Sequence, residues 1–151
     1  WSHDRELDWG LLQDPSHAGV AALVAELNAL QARYPALHLG DGTYEGFDWL
    51  VVDDADHSSF AIERRVPGEP GEIVVCVANL SGADLDGYRV GLGAEGPWEV
   101  ILNSGDARFG GHGRGSRGEL AVDEDIPWQH RPRSTVLHVP ARTVLWLAPR
   151  Q

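Results

Sequence analysis

Lysine is missing from this chain, so all 12 basic residues are arginines. The 23 Asp and Glu residues outnumber them and give a formal net charge of −11. A chain this acidic lacks the basic surface by which proteins bind nucleic acids, and an anionic membrane would repel it. We therefore expect a neutral substrate or a protein partner, and no nucleic-acid or membrane partner.

Methionine is missing as well, so the sequence holds no initiator residue. The first nine residues, Trp1 to Trp9, lead directly into a helix-type segment without a start signal of their own. We expect Trp1 to be the cut edge of a longer polypeptide whose chemistry lies upstream.

Cysteine is nearly absent, and long apolar runs are absent. The single Cys76 cannot form an internal disulfide, and its apolar, strand-type surroundings predict a buried small side chain rather than a reactive thiol. No apolar run approaches the roughly 20 residues of a membrane-spanning helix, and no signal peptide is visible. The expected location is the cytoplasm.

One segment has helical periodicity. Asp14 is suited to cap a helix, Pro15 to occupy its first position, and Pro35 to end it. Between them, six apolar residues form one stripe: Val20, Leu23, Val24, Leu27, Leu30 and Tyr34. Because one amphipathic helix cannot bury its stripe alone, we expect it to dock on the domain that follows or on a missing one.

After Gly46 the pattern changes to short β-type runs, separated by turns rich in Gly, Pro and Asp. The runs are 47–53, 59–66, 72–79, 88–92, 98–102, 135–139 and 143–148. With no helix between them, they predict a mainly β fold, an antiparallel β-sandwich. We expect the irregular stretch from Asn103 to Arg133, Gly- and Arg-rich over 104–118, to pack over the sandwich edge.

Motifs for catalysis are weak. Residues 113–118 match G-x-G-x-x-G, but acidic residues and Pro127 follow in place of the helix that a dinucleotide site needs. His112, His130, Asp123 and Asp125 are not spaced like metal ligands, and no G-x-S-x-G motif is present. We predict no metal site and no cofactor.

Carboxylates crowd the N-terminal segment at Asp4, Glu6 and Asp8. Retaining cleavage of a glycosidic bond needs two carboxyl groups about 5 Å apart, and nothing in this segment requires that arrangement. We interpret these side chains as solvated or capping charges.

The six tryptophans are the most informative side chains. An exposed Trp beside an Asp can hold a sugar, because the ring stacks on the pyranose face while the carboxylate accepts from hydroxyl groups. Trp49 and Asp48 offer such a pair at the start of the β region. The alternative is that Trp49 fills the seam between helix and sandwich.

Several segments follow one another in a recognisable order. They are Leu7-Asp8-Trp9, 19–28, Tyr34-Pro35-Ala36-Leu37, Gly46-Phe47-Asp48-Trp49-Leu50, 88–92, 96–106, Pro127-Trp128, Arg131-Pro132, Val139-Pro140 and Leu145-Trp146-Leu147. Together they resemble the C-terminal portion of the glycogen branching enzymes, which belong to the α-amylase superfamily (glycoside hydrolase family 13). The resemblance covers essentially the whole chain.

The resemblance implies a division of the chain. Residues 1–40 would be the tail of a (β/α)₈ catalytic barrel with its final helix, and 41–151 the C-terminal β-sandwich. Enzymes of this family cut α-1,4-glucan and transfer the piece to a 6-hydroxyl, which makes an α-1,6 branch in glycogen. Their catalytic Asp and Glu match no residue here, so the chain alone is expected to be inactive.

The resemblance also implies partners and contacts. The partners would be an α-glucan and the missing catalytic barrel of the same polypeptide. Trp1 and Asp4 are candidates for lining the barrel's substrate cleft, and Trp49 with Asp48 for a remote glucan contact. Alternatives remain: a trehalose-releasing or maltosyl-transferring relative, a stand-alone carbohydrate-binding module, or a purely structural domain.

Overall fold

Over residues 3–150, which it describes, a computed structural model has one α-helix and nine strands. The helix α1 is Pro15–Arg33. The strands are β1 Phe47–Asp54, β2 Ser59–Val66, β3 Glu69–Asn79, β4 Leu85–Leu92, β5 Trp98–Asn103, β6 Gly118–Leu120, β7 Val122–Asp123, β8 Arg133–Val139 and β9 Thr143–Pro149. Short 3-10 turns lie at Trp9–Gln13, Pro35–Leu37, Tyr44–Gly46 and Ala107–Phe109.

The strands form two antiparallel sheets. The larger sheet has the order β1-β2-β3-β9-β5-β6, and the smaller has the order β4-β8-β7. The prediction of a mainly β, antiparallel sandwich is confirmed. Strands β1 and β4 each end their sheet, which leaves one edge of the sandwich open.

The main core lies between the two sheets. Alternate residues of the strands point inward, as a sheet with one face on a core requires. The fully buried members are Ala61, Val75, Val77, Val90, Leu92, Trp98, Leu137, Val139, Leu145 and Leu147. Trp98 satisfies its indole N–H by donating to the carbonyl of Ala94 at 3.2 Å.

Helix α1 packs on the outer face of the larger sheet and has the bounds that the sequence predicts. Asp14 caps it by accepting from the amide of Ser16 at 2.8 Å, and the helix ends at Arg33, before Pro35. Leu30 and the capping residue Tyr34 are buried against sheet residues Val74, Leu102 and Ala148. The helix therefore docks on the domain that follows it.

This docking covers only part of the predicted stripe. Leu23 and Leu27 are half-buried, whereas Val20 and Val24 are 61% and 50% exposed. The N-terminal half of α1 lies against the 3-10 turn at Ala107–Phe109, where a Cβ on Gly19 would be 2.7 Å from the carbonyl oxygen of Phe109, and it leaves Val20 and Val24 exposed.

The stretch 104–132 is more regular than its sequence suggests. It holds a 3-10 turn and two short strands, of which β6 pairs with β5 and β7 pairs with β8. These strands have three and two residues, too few to show alternation in the sequence. Among residues 3–150, no helix is long and apolar enough to cross a membrane.

Candidate functional site

The two predicted residues near the N-terminus are Trp1 and Asp4. Trp1 lies outside the described residues. Asp4 is strongly exposed, with its carboxylate 3.2 Å from the ring of His3. Their expected contact with a substrate cleft stays a prediction.

Trp49 lies on the outer face of the larger sheet and is 51% exposed. Its ring makes edge contacts with Phe47 and Phe60, at centroid distances of 5.4 and 6.2 Å. Trp49 lines a shallow groove of about 310 Å³ together with Phe60, Asp53, Ser58 and others. The half-exposed ring is available to a ligand. A tryptophan buried between the helix and the sandwich would not be.

Asp48 lies on the opposite side of β1 from Trp49, because successive residues of a strand point to opposite faces. Its Oδ2 accepts from the guanidinium of Arg131 at 2.6 Å and from that of Arg65 at 3.2 Å. The hydrogen bond from Arg131 holds the pKa of the Asp48 carboxyl below its usual value. The side chains of Trp49 and Asp48 therefore lie on opposite faces of β1, and the carboxylates that share a groove with Trp49 are Asp53 and Asp54.

Asp48 belongs instead to an ion-pair cluster around Glu63, which we call the Glu63 cluster (Asp48, Glu63, Arg65 and Arg131). Glu63 is 1% exposed. Arg131 donates to both of its oxygens, from Nε at 3.0 Å and from Nη2 at 3.2 Å, and Arg65 lies 2.9 Å away. Burial would lower the pKa of Arg131, but the bonds to the carboxylates outweigh it and raise that pKa.

The Glu63 cluster anchors the turn that carries Trp128. Trp128 and Arg131 exchange two backbone hydrogen bonds, at 3.0 and 2.8 Å, across the residues Gln129 and His130. Both of these have positive φ, 50° and 59°, which is uncommon for non-glycine residues. Gln129 accepts from the amide of Gly91 at 3.0 Å, so the turn is also tied to β4.

Trp128 is 46% exposed and lines a cleft of about 810 Å³ at the open edge of the sandwich. The cleft lies between the edge strands β1 and β4. Its other lining residues are Val51, Asp54, His57, Asp84, Leu85, Asp86, Gly87, Tyr88, Arg89 and Gln129. The sequence did not predict this cleft. It contains the Pro127-Trp128 motif, but no neighbouring residue indicates that the turn faces β1.

Asp54 is a carboxylate of this cleft that accepts hydrogen bonds from three side chains. It accepts from His57 at 2.7 Å, from Ser59 at 2.8 Å and from the hydroxyl of Tyr88 at 3.3 Å. Burial would raise the pKa of the Asp54 carboxyl, but the hydrogen bonds from His57 and Ser59 outweigh it and lower that pKa. Asp54 lines the Trp49 groove as well, so the two surfaces meet at this residue.

The Gly- and Arg-rich loop requires glycine where two of its backbone segments are in contact. A Cβ on Gly111 would lie 2.2 Å from the carbonyl oxygen of Gly105. The two backbone segments can therefore be in contact only because residue 111 has no side chain. The G-x-G-x-x-G segment leads into strand β6 rather than a helix, so it presents no helix N-terminus to a phosphate.

Groups suited to metal binding or nucleophilic catalysis do not converge in the described chain. Between residues 3 and 150, no three His, Cys, Asp or Glu side chains are placed to hold a metal ion. Cys76 is half-buried on the helix-facing side, and burial raises the pKa of its thiol to about 11. A thiol of that kind is protonated at neutral pH and is a poor nucleophile.

Comparison with known proteins gives a consistent result. The family model described as alpha amylase, C-terminal all-beta domain, matches residues 49–150. The matched region begins in β1 and ends after β9, so it contains both sheets.

Similar proteins extend this match to the helix. The chain is 41% identical over 149 residues to a protein of Myxococcus xanthus named 1,4-alpha-glucan branching enzyme GlgB, which covers 99% of this chain and 20% of that protein. Proteins of the same name in Nocardia farcinica and Pseudomonas aeruginosa are 43% and 42% identical, over 98% and 99% of this chain and 20% of theirs. The chain thus spans about one fifth of the length of these curated relatives.

Proposed function

The chain belongs to the family of the alpha-amylase C-terminal all-beta domain, and from this premise we propose that it is the C-terminal part of a 1,4-alpha-glucan branching enzyme. The observation that carries the proposal is similarity over nearly the whole chain, helix and sandwich together, to proteins of that name. The enzyme would cut an α-1,4-glucan and transfer the piece to a 6-hydroxyl. The single free cysteine suits a reducing compartment, so the cytoplasm is the proposed location.

Within that enzyme, the chain's first role is to pack against the catalytic domain. A set of apolar side chains near the N-terminus, which we call the N-terminal apolar face, is exposed: Leu7, Trp9, Leu11, Leu12, Val20 and Val24. An apolar surface of this kind is typical of an interface. Its occupant is the catalytic domain of the same polypeptide, since the relatives are about five times longer than this chain.

The chain's second role is a remote contact with glucan at Trp49. The exposed ring offers a stacking surface, and Asp53 and Ser58 line the same groove with polar atoms that can bond sugar hydroxyls. One such contact is weak, but a branched glucan presents many chain ends, so repeated contacts raise the overall affinity.

The glucan contact is tested by electrophoresis of this chain in gels with and without glycogen. Wild type should be retarded by glycogen, and Trp49→Ala should be retarded much less. Leu39→Ala, which truncates an equally exposed apolar residue outside the groove, should behave like wild type. Equal mobility of wild type in both gels would contradict the contact and favour a purely structural domain.

The catalytic assignment is tested separately with amylose and iodine. The chain alone should leave the iodine absorbance unchanged, because the catalytic carboxylates implied by the resemblance match no residue here. An enzyme that joins this chain to its upstream domain should lower the absorbance as branches form. A fall caused by the chain alone would overturn the division of roles.

A further inference from the structure

We propose that the Trp128 cleft binds a neutral oligosaccharide at the open edge of the sandwich, separately from the Trp49 groove. The choice of an α-glucan as that oligosaccharide rests on the proposed function. The cleft itself is argued from its shape, from the way Trp128 is held and from the charges on its walls.

The shape of the cleft follows from two interrupted edge strands. Both β1 and β4 carry β-bulges where they line it, and Gly87 in β4 has a φ of +72°. Bulges turn side chains away from the regular pleat and prevent another strand from pairing with an edge. The volume of about 810 Å³ lies within the usual range of ligand sites.

Trp128 is held more rigidly than an exposed loop residue needs to be. Its backbone exchanges two hydrogen bonds with Arg131, whose guanidinium is bound to buried Glu63. Gln129 and His130 have left-handed backbone conformations, which are strained in non-glycine residues and persist only where surrounding contacts impose them. A rigid aromatic side chain loses little entropy when a ligand stacks on it.

The backbone around Trp128 is also packed closely against strand β4. A Cβ on Gly91 would lie 2.3 Å from the carbonyl oxygen of Trp128, so β4 and the turn touch directly. These contacts and the two backbone hydrogen bonds position the backbone of Trp128, from which the indole ring extends partly exposed.

The polar wall of the cleft selects against anions. It holds the carboxylates of Asp54, Asp84 and Asp86, while its arginine, Arg89, is already bonded to Asp123 at 2.6 Å. Asp84 and Asp86 are bonded to Arg114 and His138, which fixes their orientation. A carboxylate oxygen can accept more than one hydrogen bond, so these groups can take sugar hydroxyls while they repel phosphates and acidic sugars.

The proposal is tested by NMR on this chain labelled with ¹⁵N, by following the tryptophan indole N–H signals during a titration with maltohexaose. The Trp128 signal is the one lost in Trp128→Phe, and the Trp49 signal the one lost in Trp49→Phe. We expect the Trp128 signal of wild type to shift in a saturable way. Trp128→Ala should weaken the binding measured at that cleft about tenfold, followed on the amide signal of Gly87, which lines the cleft and not the Trp49 groove.

Two controls separate a ligand contact from a structural effect. Trp128→Phe keeps an aromatic ring and the backbone bonds of the turn, so it should retain most of the affinity. Tyr44→Ala removes an exposed aromatic side chain outside the cleft and should leave the affinity unchanged. Unchanged amide dispersion in each variant shows that it is folded.

The outcomes distinguish this proposal from the glucan contact at Trp49. A shift of the Trp49 signal without one at Trp128 overturns the cleft as a sugar site and leaves the Trp49 contact intact. A shift at Trp128 alone supports the cleft and contradicts the Trp49 contact. No shift at either signal, or equally tight binding of an oligogalacturonate of the same length, overturns the proposal.

Discussion

Glu63 carries a carboxylate that has almost no contact with solvent, and the residues around it show how one buried charge organises a surface. A buried ion must be paired and hydrogen-bonded, because its desolvation is otherwise too costly. Two arginines satisfy Glu63, and one of them, Arg131, continues into the turn that presents Trp128. At the scale of single residues, the buried ion pairs of Glu63 therefore position the turn that carries an exposed aromatic side chain.

Arg131→Ala should lower the free energy of unfolding by about 3 kcal/mol, because the buried carboxylate of Glu63 would keep only Arg65 as its ion partner. Chemical denaturation at neutral pH measures this loss. Arg150→Ala is the matched control, since it removes an exposed pair with Glu119 that contributes less than about 1 kcal/mol. Similar losses in the two variants would show that the Glu63 cluster is not energetically distinct.

The same cluster predicts a loss of stability in acid. Arg131 lowers the pKa of Asp48 in the folded state, so the folded chain binds the proton less readily than the unfolded chain does. The contribution of Asp48 is fully present above the ordinary aspartate pKa of about 3.9 and is lost as the pH falls through the lower, folded pKa. Hydrogen bonds likewise lower the pKa values of Asp14 and Asp84.

Urea titrations from pH 7 to pH 3 should therefore show a free energy of unfolding that falls mainly below about pH 4. Asp48→Asn should be less stable than wild type at pH 7 and should fall less steeply in acid. Asp56→Asn, at an exposed turn, should keep the slope of wild type. A slope unaffected by Asp48→Asn would remove this carboxylate from the explanation.

Helix α1 is the element whose two halves have different surroundings. Its C-terminal half packs on the sheet through Leu30 and Tyr34, whereas its N-terminal half leaves Val20 and Val24 exposed. Most helical stability in proteins comes from tertiary packing rather than from propensity. In this structure, the sheet stabilises α1 mainly through contacts with the C-terminal half of the helix.

Leu30→Ala should lower the free energy of unfolding by about 3 kcal/mol, because it removes buried methyl groups and leaves a cavity. Val24→Ala should change it by less than about 0.5 kcal/mol, since the side chain is half exposed and alanine favours a helix. Thermal or chemical denaturation of the two variants checks the difference. Comparable losses would mean that the N-terminal half of α1 is packed as tightly as the C-terminal half.

The whole molecule combines a complete β-sandwich core with an uncovered N-terminal apolar face. The sandwich buries its own apolar side chains between two sheets, so it needs no partner for its core. The apolar face around Trp9 and Val20 has no such cover in the described chain. The two properties fit the proposed role of one domain in a larger enzyme. Such a domain has a core of its own and one apolar face that binds another domain.

This chain, prepared without its proposed catalytic domain, should therefore self-associate as its concentration rises. Sedimentation equilibrium should give an average mass above that of the monomer, and Leu11→Glu with Val20→Glu should shift it toward the monomer. Leu80→Glu, at an exposed apolar residue elsewhere, should leave it unchanged. A monomer at all concentrations would argue against an interface at this face.

How far the sequence predicts the fold depends on the length of each pattern. The bounds of α1 follow from Asp14, Pro15 and Pro35, and seven strands follow from β-type runs between turns, since each signal lies within a few neighbouring residues. Strands β6 and β7 carry too few residues to show a pattern and become strands only by pairing with β5 and β8.

The site was less predictable than the fold because its residues are far apart in the sequence. The sequence alone provided the family resemblance, and it left open whether Trp49 is exposed to a sugar or fills the seam between helix and sandwich. Two contacts depend on the register and stacking of the two sheets. Asp48 accepts a hydrogen bond from Arg131, 83 positions away, and Trp128 faces the edge of β1. Local chemistry determines where a helix or strand begins and ends, whereas long-range packing determines which side chains meet.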